Sequence, residues 1–337
     1  MQLRWSLPGV LNSFIFDRAM SDNELRYYYP YEERYSDISR TPWQKFNSEG
    51  VIVAMKERLK DHYKISQETL YPLHDQGETY YHPVLIANCI LGNYNLYLDH
   101  RDPHSLEVFW NNIRWLANNG VAHKDALVWP FPYGLKEFNP EPYWVSGMYQ
   151  GQILSCFARA YHLSGEQQYL ELCRLTRNSF DLELGEKYGF RTKDHYGIWF
   201  EEAPKLPANH ILNGAIFALW GIYDFFSVSG EPDLNDTWEQ GVRTILNALD
   251  DYDLGFWSLY DLSGTITSYY YQSVHVKQMS SLFEQTGDDK FRAFAEKWAR
   301  QMNSPSCRLR KKIYSVRQDI RRGRLGLSIR NAIRGTR

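Results

Sequence analysis

The sequence predicts a mainly α protein built of helical hairpins, and three observations carry that expectation. A short signature recurs after apolar stretches: Ser164-Gly165-Glu166-Gln167-Gln168-Tyr169-Leu170, Ser229-Gly230-Glu231-Pro232-Asp233-Leu234 and Thr286-Gly287-Asp288-Asp289-Lys290-Phe291, at intervals of 65 and 57 residues. In each copy Gly suits the left-handed residue that closes a helix, and the acidic residue suits the start of the next. An apolar side chain three or four residues later packs back. A looser copy lies upstream, with Val84 to Leu98 as a helix, Asp99-His100-Arg101-Asp102-Pro103 as the turn and Ser105 to Ala117 as the return. The third observation is periodicity. Ile153, Cys156, Phe157 and Ala160 share one helical stripe, as do Ile216, Leu219, Trp220 and Tyr223, and Phe291, Phe294, Ala295 and Trp298. Hairpins repeating near every sixty residues imply an incomplete (α/α) toroid, because tetratricopeptide arrays repeat about every 34 residues. In such a fold the loops leaving the inner helices are expected to build the site.

Three regions follow from this reading. Residues 1–70 form a small irregular or β-containing N-terminal arm, which carries Tyr27-Tyr28-Tyr29-Pro30-Tyr31 and Trp43 and wraps over the helices. Residues 71–303 form the helical domain, and residues 304–337 a basic tail. From 306 onward the tail holds eleven Lys and Arg against Asp319 alone, so it carries +10 and the remaining residues −12 of the chain's −2. Ile313, Val316, Ile320, Leu327 and Ile329 interleave with these charges. The tail therefore reads as a basic helix, interrupted near Gly323 and Gly326, that meets an anionic membrane or an acidic polymer, or as a solvated disordered segment. Nucleic acid is not an expected partner, since the acidic body repels phosphates and no groove-reading motif accompanies the tail.

Composition narrows the function. With 337 residues and 43% apolar content the chain buries a core. Its 16% aromatic share suits the stacking of flat, partly apolar ligands, sugars above all. Cys89, Cys156, Cys173 and Cys307 are scattered, with no CxxC pair and no His at zinc spacing, so neither a metal site nor a disulfide framework is expected. No dinucleotide, Walker or EF-hand motif is present, and no cofactor is expected. The N-terminal stretch is too interrupted for a signal peptide and no apolar run approaches the roughly 20 residues that span a bilayer, which predicts a cytoplasmic protein.

The candidate chemistry lies in three loops: Trp129-Pro130-Phe131-Pro132-Tyr133, Trp199-Phe200-Glu201-Glu202-Ala203-Pro204 and Gly255-Phe256-Trp257-Ser258-Leu259-Tyr260-Asp261. A carboxylate of Glu201 or Glu202 held against the rings beside it is desolvated and suits general acid or base work, although an acidic pair before a helix is also a plain helix start. Tyr271 and His275, four apart, share one helical face, and an imidazole beside a phenol can bring the phenol into proton exchange.

Several blocks together resemble the C-terminal domain of the heparosan glucuronyl 5-epimerases. They are Leu212-Asn213-Gly214 with Leu219-Trp220-Gly221-Ile222-Tyr223-Asp224, Leu259-Tyr260-Asp261-Leu262, and Tyr271-Gln272-Ser273-Val274-His275 with Gln278. Trp199-Phe200-Glu201-Glu202 precedes the Asn-Gly motif at the family's distance. Trp129-Pro130-Phe131-Pro132 and Ser146-Gly147-Met148-Tyr149-Gln150-Gly151-Gln152 resemble two further blocks in the right order. The resemblance covers about residues 80–303 and implies an α/α toroid that inverts carbon 5 of glucuronate in a heparosan-type polymer, giving iduronate. It implies Glu202 and Tyr271 as base and acid on opposite faces of carbon 5, either one able to start as base. Tyr260 would bond near the reacting carboxylate or relay a proton, Asn213 would hold a sugar or carboxylate oxygen, and His275 would support Tyr271. Trp129 and Glu201 belong to the same substrate-binding blocks.

Two departures stand out. Ala203 occupies a position where animal members carry Tyr, and Ser263 one where they carry Arg. Tyr149, where animal members have Ala, is the candidate for the missing phenol, and Arg191, Lys193, His195 or Lys136 for the missing cation. Animal members also carry a membrane anchor and a longer β-rich domain. A short, anchorless version implies a bacterial, cytoplasmic enzyme, peripheral at the inner membrane through its tail, with a homodimer as the implied assembly. The alternatives are a uronate polysaccharide lyase, which shares the first proton removal and then eliminates at carbon 4, and a non-catalytic acidic-polysaccharide-binding protein. A toroidal glycoside hydrolase needs two carboxyl groups about 5–10 Å apart, and only one loop offers a persuasive carboxylate.

Overall fold

The computed structural model describes residues 24–35, 44–55, 75–131 and 143–321. Trp43, Pro132, Tyr133, Lys136 and the tail beyond Arg321 lie outside these residues. Within them the protein is mainly α with short strands near the N-terminus, as the sequence predicts. The described chain divides into two compact units, residues 24–245 and residues 246–321.

In the first unit a short helix α1 (Glu32–Tyr35) precedes a four-stranded antiparallel sheet of β1 (Gln44–Phe46), β2 (Ile52–Met55), β3 (Asp75–Gln76) and β4 (Thr79–Tyr80), in the order β1-β2-β4-β3. Hairpins of α2 (Pro83–His100) with α3 (Pro103–Asn118) and α4 (Gly147–Ser164) with α5 (Gln167–Asn178) follow. Between the two hairpins lies a small ribbon of β5 (Val121–His123) and β6 (Ala126–Val128). Next come α6 (Leu212–Ser229) and α7 (Pro232–Ala248), the latter running on past the unit boundary. The second unit holds α8 (Tyr269–Thr286), α9 (Asp289–Asn303) and α10 (Pro305–Arg321). Gly165, Gly230 and Gly287 close α4, α6 and α8 with φ of 69°, 69° and 70°, left-handed as the repeated signature requires. In the looser copy Arg101 takes that role at φ 51°.

In the first unit the first helices α2 and α6 are largely apolar and buried, and the return helices α3 and α5 are amphipathic. In the first unit α2, α4 and α6 pack in sequence, with α3 and α5 against the first two. The crossing of α4 and α6 is set by glycine. A Cβ on Gly221 would stand 2.3 Å from the Gly151 carbonyl oxygen, and one on Gly151 2.5 Å from the Ala218 Cα. Hence the Gln-Gly-Gln and Leu-Trp-Gly blocks mark a close backbone approach.

The arm is tied to these helices by buried polar groups. Arg159 donates from Nη1 to Asp224 Oδ2 at 2.6 Å, and the Tyr28 hydroxyl donates to Asp224 Oδ1 at 2.8 Å. Gln152 Nε2 donates to the Tyr31 hydroxyl at 2.6 Å, while Tyr27 packs edge-on to Trp220 at 6.0 Å. A fully buried ion pair is costly unless further hydrogen bonds support it, and the Tyr28 hydroxyl supplies one to Asp224.

One expectation is corrected. The turns leaving the first helices are too short to carry a site, Gly165 and Glu166 alone separating α4 from α5. The aromatic and acidic blocks instead fill the connections that run from a return helix to the next first helix, namely α3 to α4, α5 to α6 and α7 to α8. The tail is helical over Pro305–Arg321, and the interruption expected near Gly323 and Gly326 lies outside the described residues. Among the described residues no helix is long and apolar enough to cross a membrane, and no group of His, Cys, Asp and Glu could hold a metal ion.

Candidate active site

In the first unit two short strands, β7 (Arg191–Lys193) and β8 (Ile198–Phe200), deliver the two glutamates. Glu201 is anchored at both main-chain ends. Its N–H donates to the Phe190 carbonyl at 2.8 Å and its carbonyl accepts from the Gly147 N–H at 2.8 Å. Its side chain is buried and accepts from the His210 main-chain N–H at 3.2 Å, with His210 Nδ1 2.6 Å from Oε1. The His210 ring stacks on Trp199 at 4.5 Å, and its Nε2 lies 3.4 Å from Asp194 Oδ2. Asp194 also accepts from Trp199 Nε1 at 3.0 Å. His210 holds this place with a left-handed backbone, φ 51°, an uncommon conformation for a residue with a Cβ.

Glu202 is held by other groups. Asn213, in the first turn of α6, donates from Nδ2 to Glu202 Oε2 at 3.3 Å. A Cβ on the neighbouring Gly214 would stand 2.5 Å from that same oxygen and 2.4 Å from the Glu202 Cβ. The Asn-Gly motif thus has a local physical reason: Asn holds the carboxylate and Gly leaves it room. Glu202 is 9% exposed and Ala203 fully buried.

The aromatic block separates by depth. Trp129 is interior, 2% exposed, with its indole N–H donating to the Leu116 carbonyl at 3.2 Å. Gln150 clamps that loop, accepting from the Trp129 N–H at 3.2 Å and donating to the Leu127 carbonyl at 3.1 Å. The half-buried ring is that of Tyr149 in the first turn of α4, stacked on Phe131 at 5.0 Å, with Trp144 stacked on Phe131 at 4.3 Å. Among the candidate cations, Arg191 is paired to Glu183 at 2.8 Å and lines a cavity of about 140 Å³ with Arg177, Asp181 and Phe200. Lys193 and His195 are exposed, and Lys136 lies outside the described residues.

In the second unit Ser258 is the hub beneath the phenols. Its N–H and Oγ both donate to Gln272 Oε1, at 2.9 and 2.7 Å, and Oγ lies 3.0 Å from His275 Nδ1. Thr267 Oγ1 donates to the Ser258 carbonyl at 2.9 Å. Two residues on, the Tyr260 N–H donates to the Thr265 carbonyl at 2.6 Å, and Asp261 Oδ1 accepts from Ser263 Oγ at 2.7 Å and from the Thr265 N–H at 3.0 Å. Ser263 therefore closes the turn that carries Tyr260. Tyr271, in the first turn of α8, is capped through its N–H by Ser268 Oγ at 3.1 Å. The Tyr260 and Tyr271 rings meet edge to face at 4.9 Å, both half-buried.

His275 belongs to the same hub. It is fully buried, bonded to Ser258 and 5.6 Å from the Trp298 ring, and burial pushes its pKa down to about 3. It is a neutral brace for the Ser258 loop and no cation beside Tyr271.

Glu202 and Asn213 thus stand together in the first unit, and Tyr260 and Tyr271 in the second. His210 and Asp194 escaped sequence reasoning, since a lone His in a Pro-rich loop carries no pattern. Gly214 did leave a signal, as a Gly at the third position of an apolar helix is costly unless space is needed.

The family model described as D-glucuronyl C5-epimerase C-terminus matches residues 123–300. D-glucuronyl C5-epimerase of Caenorhabditis elegans is 27% identical over 221 residues, which cover 59% of this chain and 35% of that protein. An uncharacterized protein of Methanocaldococcus jannaschii is 30% identical over 178 residues, 51% of this chain and 57% of that protein. The matched stretch is therefore about a third of the first relative's length and just over half of the second's. Cellobiose 2-epimerase from Bacillus thermoamylovorans superposes with a TM-score of 0.51 at 13% identity, over 82% of this chain and 74% of that one. That likeness is one of fold and places the chain in the α/α-toroid class.

Proposed function

The chain belongs to the family of the D-glucuronyl C5-epimerase C-terminus, and from that premise we propose that it is a carbohydrate epimerase that inverts carbon 5 of D-glucuronate to L-iduronate within a heparosan-like acidic polysaccharide. The observation that carries the reading is the Glu202 carboxylate held by Asn213 over the space left by Gly214. A proton at carbon 5 is alpha to a carboxylate, so its removal builds charge there and requires a base on one face and an acid on the other. In this proposal Glu202 and Tyr271 are those two groups and exchange roles with direction. Tyr260 bonds near the reacting carboxylate or relays a proton, Asn213 orients Glu202, and Tyr149 offers its phenol hydroxyl to the substrate. One proton leaves and one returns, so the step needs no oxidant or reductant.

The test is incubation of the full chain with heparosan, intact and N-sulfated, in deuterated water, with carbon-5 exchange and iduronate read by NMR. Deuterium at carbon 5 together with iduronate and no new ultraviolet absorbance is the expected outcome. Glu202→Gln and Tyr271→Phe should each abolish it, and Tyr149→Phe should slow it. Rising absorbance from an unsaturated end would instead identify a lyase, and affinity without exchange a binding protein.

A further inference from the structure

The inner and outer faces of α10 differ in kind. On the inner side Cys307 and Tyr314 pack against Phe256, Trp257 and Met302, with the Tyr314 ring 6.0 Å from that of Phe256. Gln318 donates to the Gly264 carbonyl and accepts from the Ile266 N–H at 3.5 Å. The helix is thereby fixed in rotation. Its outer side shows Leu309, Ile313, Val316 and Ile320 at 59%, 45%, 40% and 52% exposure. Their spacing of four, three and four residues places them within a sector of about 60° at 3.6 residues per turn. Arg317 and Arg310, the latter with its guanidinium 4.4 Å over the Phe256 ring, flank that stripe on one side, and Arg308 and Lys312 on the other, all exposed.

We propose that this outer face of α10 docks the protein on the surface of an anionic lipid bilayer. An apolar stripe between two rows of long basic side chains is the arrangement that lies in a bilayer interface, with the stripe among acyl chains and the cationic heads reaching lipid phosphates. At 17 residues and no apolar majority, α10 lies on a membrane and does not cross one. A second copy of the helix is a poorer occupant. The stripe has coiled-coil spacing, but both of its flanks are basic, and pairing would set like charges together. An acidic polysaccharide would satisfy the charges and leave the four apolar side chains in water. Asp319, half-buried, is the one acidic residue of the helix.

The experiment is co-sedimentation of the full chain with large unilamellar vesicles, of phosphatidylcholine alone or mixed with phosphatidylglycerol. Binding to the anionic vesicles alone is expected, weakening as salt is raised. Removing Arg308, Lys312 or Arg317 by substitution with Ala should lower the partition about fivefold per charge. Ile313→Glu combined with Val316→Glu should abolish it while circular dichroism and carbon-5 exchange on soluble polymer stay unchanged. The proposal is overturned if anionic vesicles are not bound, or if the Glu substitutions leave vesicle binding intact. It is equally overturned if those substitutions instead dissociate a dimer in equilibrium sedimentation, or if the basic residues prove to hold heparosan and not lipid.

Discussion

A methyl group at position 214 would occupy the space that the Glu202 carboxylate uses, 2.5 Å from Oε2. Gly214→Ala therefore displaces the proposed catalytic oxygen while improving helix propensity. Carbon-5 exchange should fall about a hundredfold, as for misplacement of a reacting group by roughly 1 Å, with a stability loss of about 1–3 kcal/mol because the Glu202 Cβ, 2.4 Å away, must shift as well. Retained exchange would show that the carboxylate does not work from this position. His275 allows a second test at the same scale. Burial holds its pKa at about 3 in the fold, against an ordinary value of 6.5. Below about pH 6.5 the unfolded chain takes up a proton that the folded protein refuses, so stability falls as pH falls, by up to about 1.4 kcal/mol per unit. Urea midpoints measured from about pH 7 down to about pH 4 should drop, and His275→Gln should remove that part of the slope. An unchanged slope in the variant would place the acid sensitivity elsewhere.

Between elements, the closest approach is the α4–α6 crossing, where main chain meets main chain at Gly151, Ala218 and Gly221. No flexible side-chain end is available there to move aside. Gly221→Ala must separate two helices whose neighbours are already packed, and should cost about 1–3 kcal/mol in denaturant unfolding. A change near zero would mean that the crossing relaxes freely. The same approach explains why Gln150 and Gln152 flank Gly151. The first clamps the Trp129 loop and the second reaches the hydroxyl of Tyr31 in the arm, so one turn of α4 fixes two separate segments. The connections from return helices to first helices are long enough to carry function, whereas the Gly-closed turns serve only to reverse the chain.

At the scale of the whole molecule, the proposed chemistry needs Glu202 and Tyr271 alike. The loss of exchange on replacing either group is therefore the expectation that tests the molecule as a single enzyme. Charge is also divided along the chain, with an acidic body preceding a basic tail. The structure gives the first part of that tail a fixed orientation through Tyr314 and Gln318, and so turns a compositional bias into a defined face.

The hairpins were legible in the sequence because helix termination is local: Gly165, Gly230 and Gly287 each close a helix using residues within one turn, and they do so in the fold. The blocks around Glu201-Glu202, Asn213-Gly214 and Tyr260 were legible as a resemblance, and the family model agrees with it. What each residue in those blocks does was decided by tertiary structure. Glu201 and Glu202 are identical in sequence terms, yet one is bound by His210 and the other by Asn213, partners that lie nine and eleven residues further along the chain. Trp129 and Tyr149 both read as sugar-facing rings, and only the packing of Phe157, Leu116 and Gln150 makes the first a core residue. His275 is kept neutral by burial against Trp298 and the Ser258 hub, partners from other elements. Short-range rules determined where helices begin and end, while burial and the direction of each side chain depend on contacts between residues far apart in the chain, which no local pattern encodes.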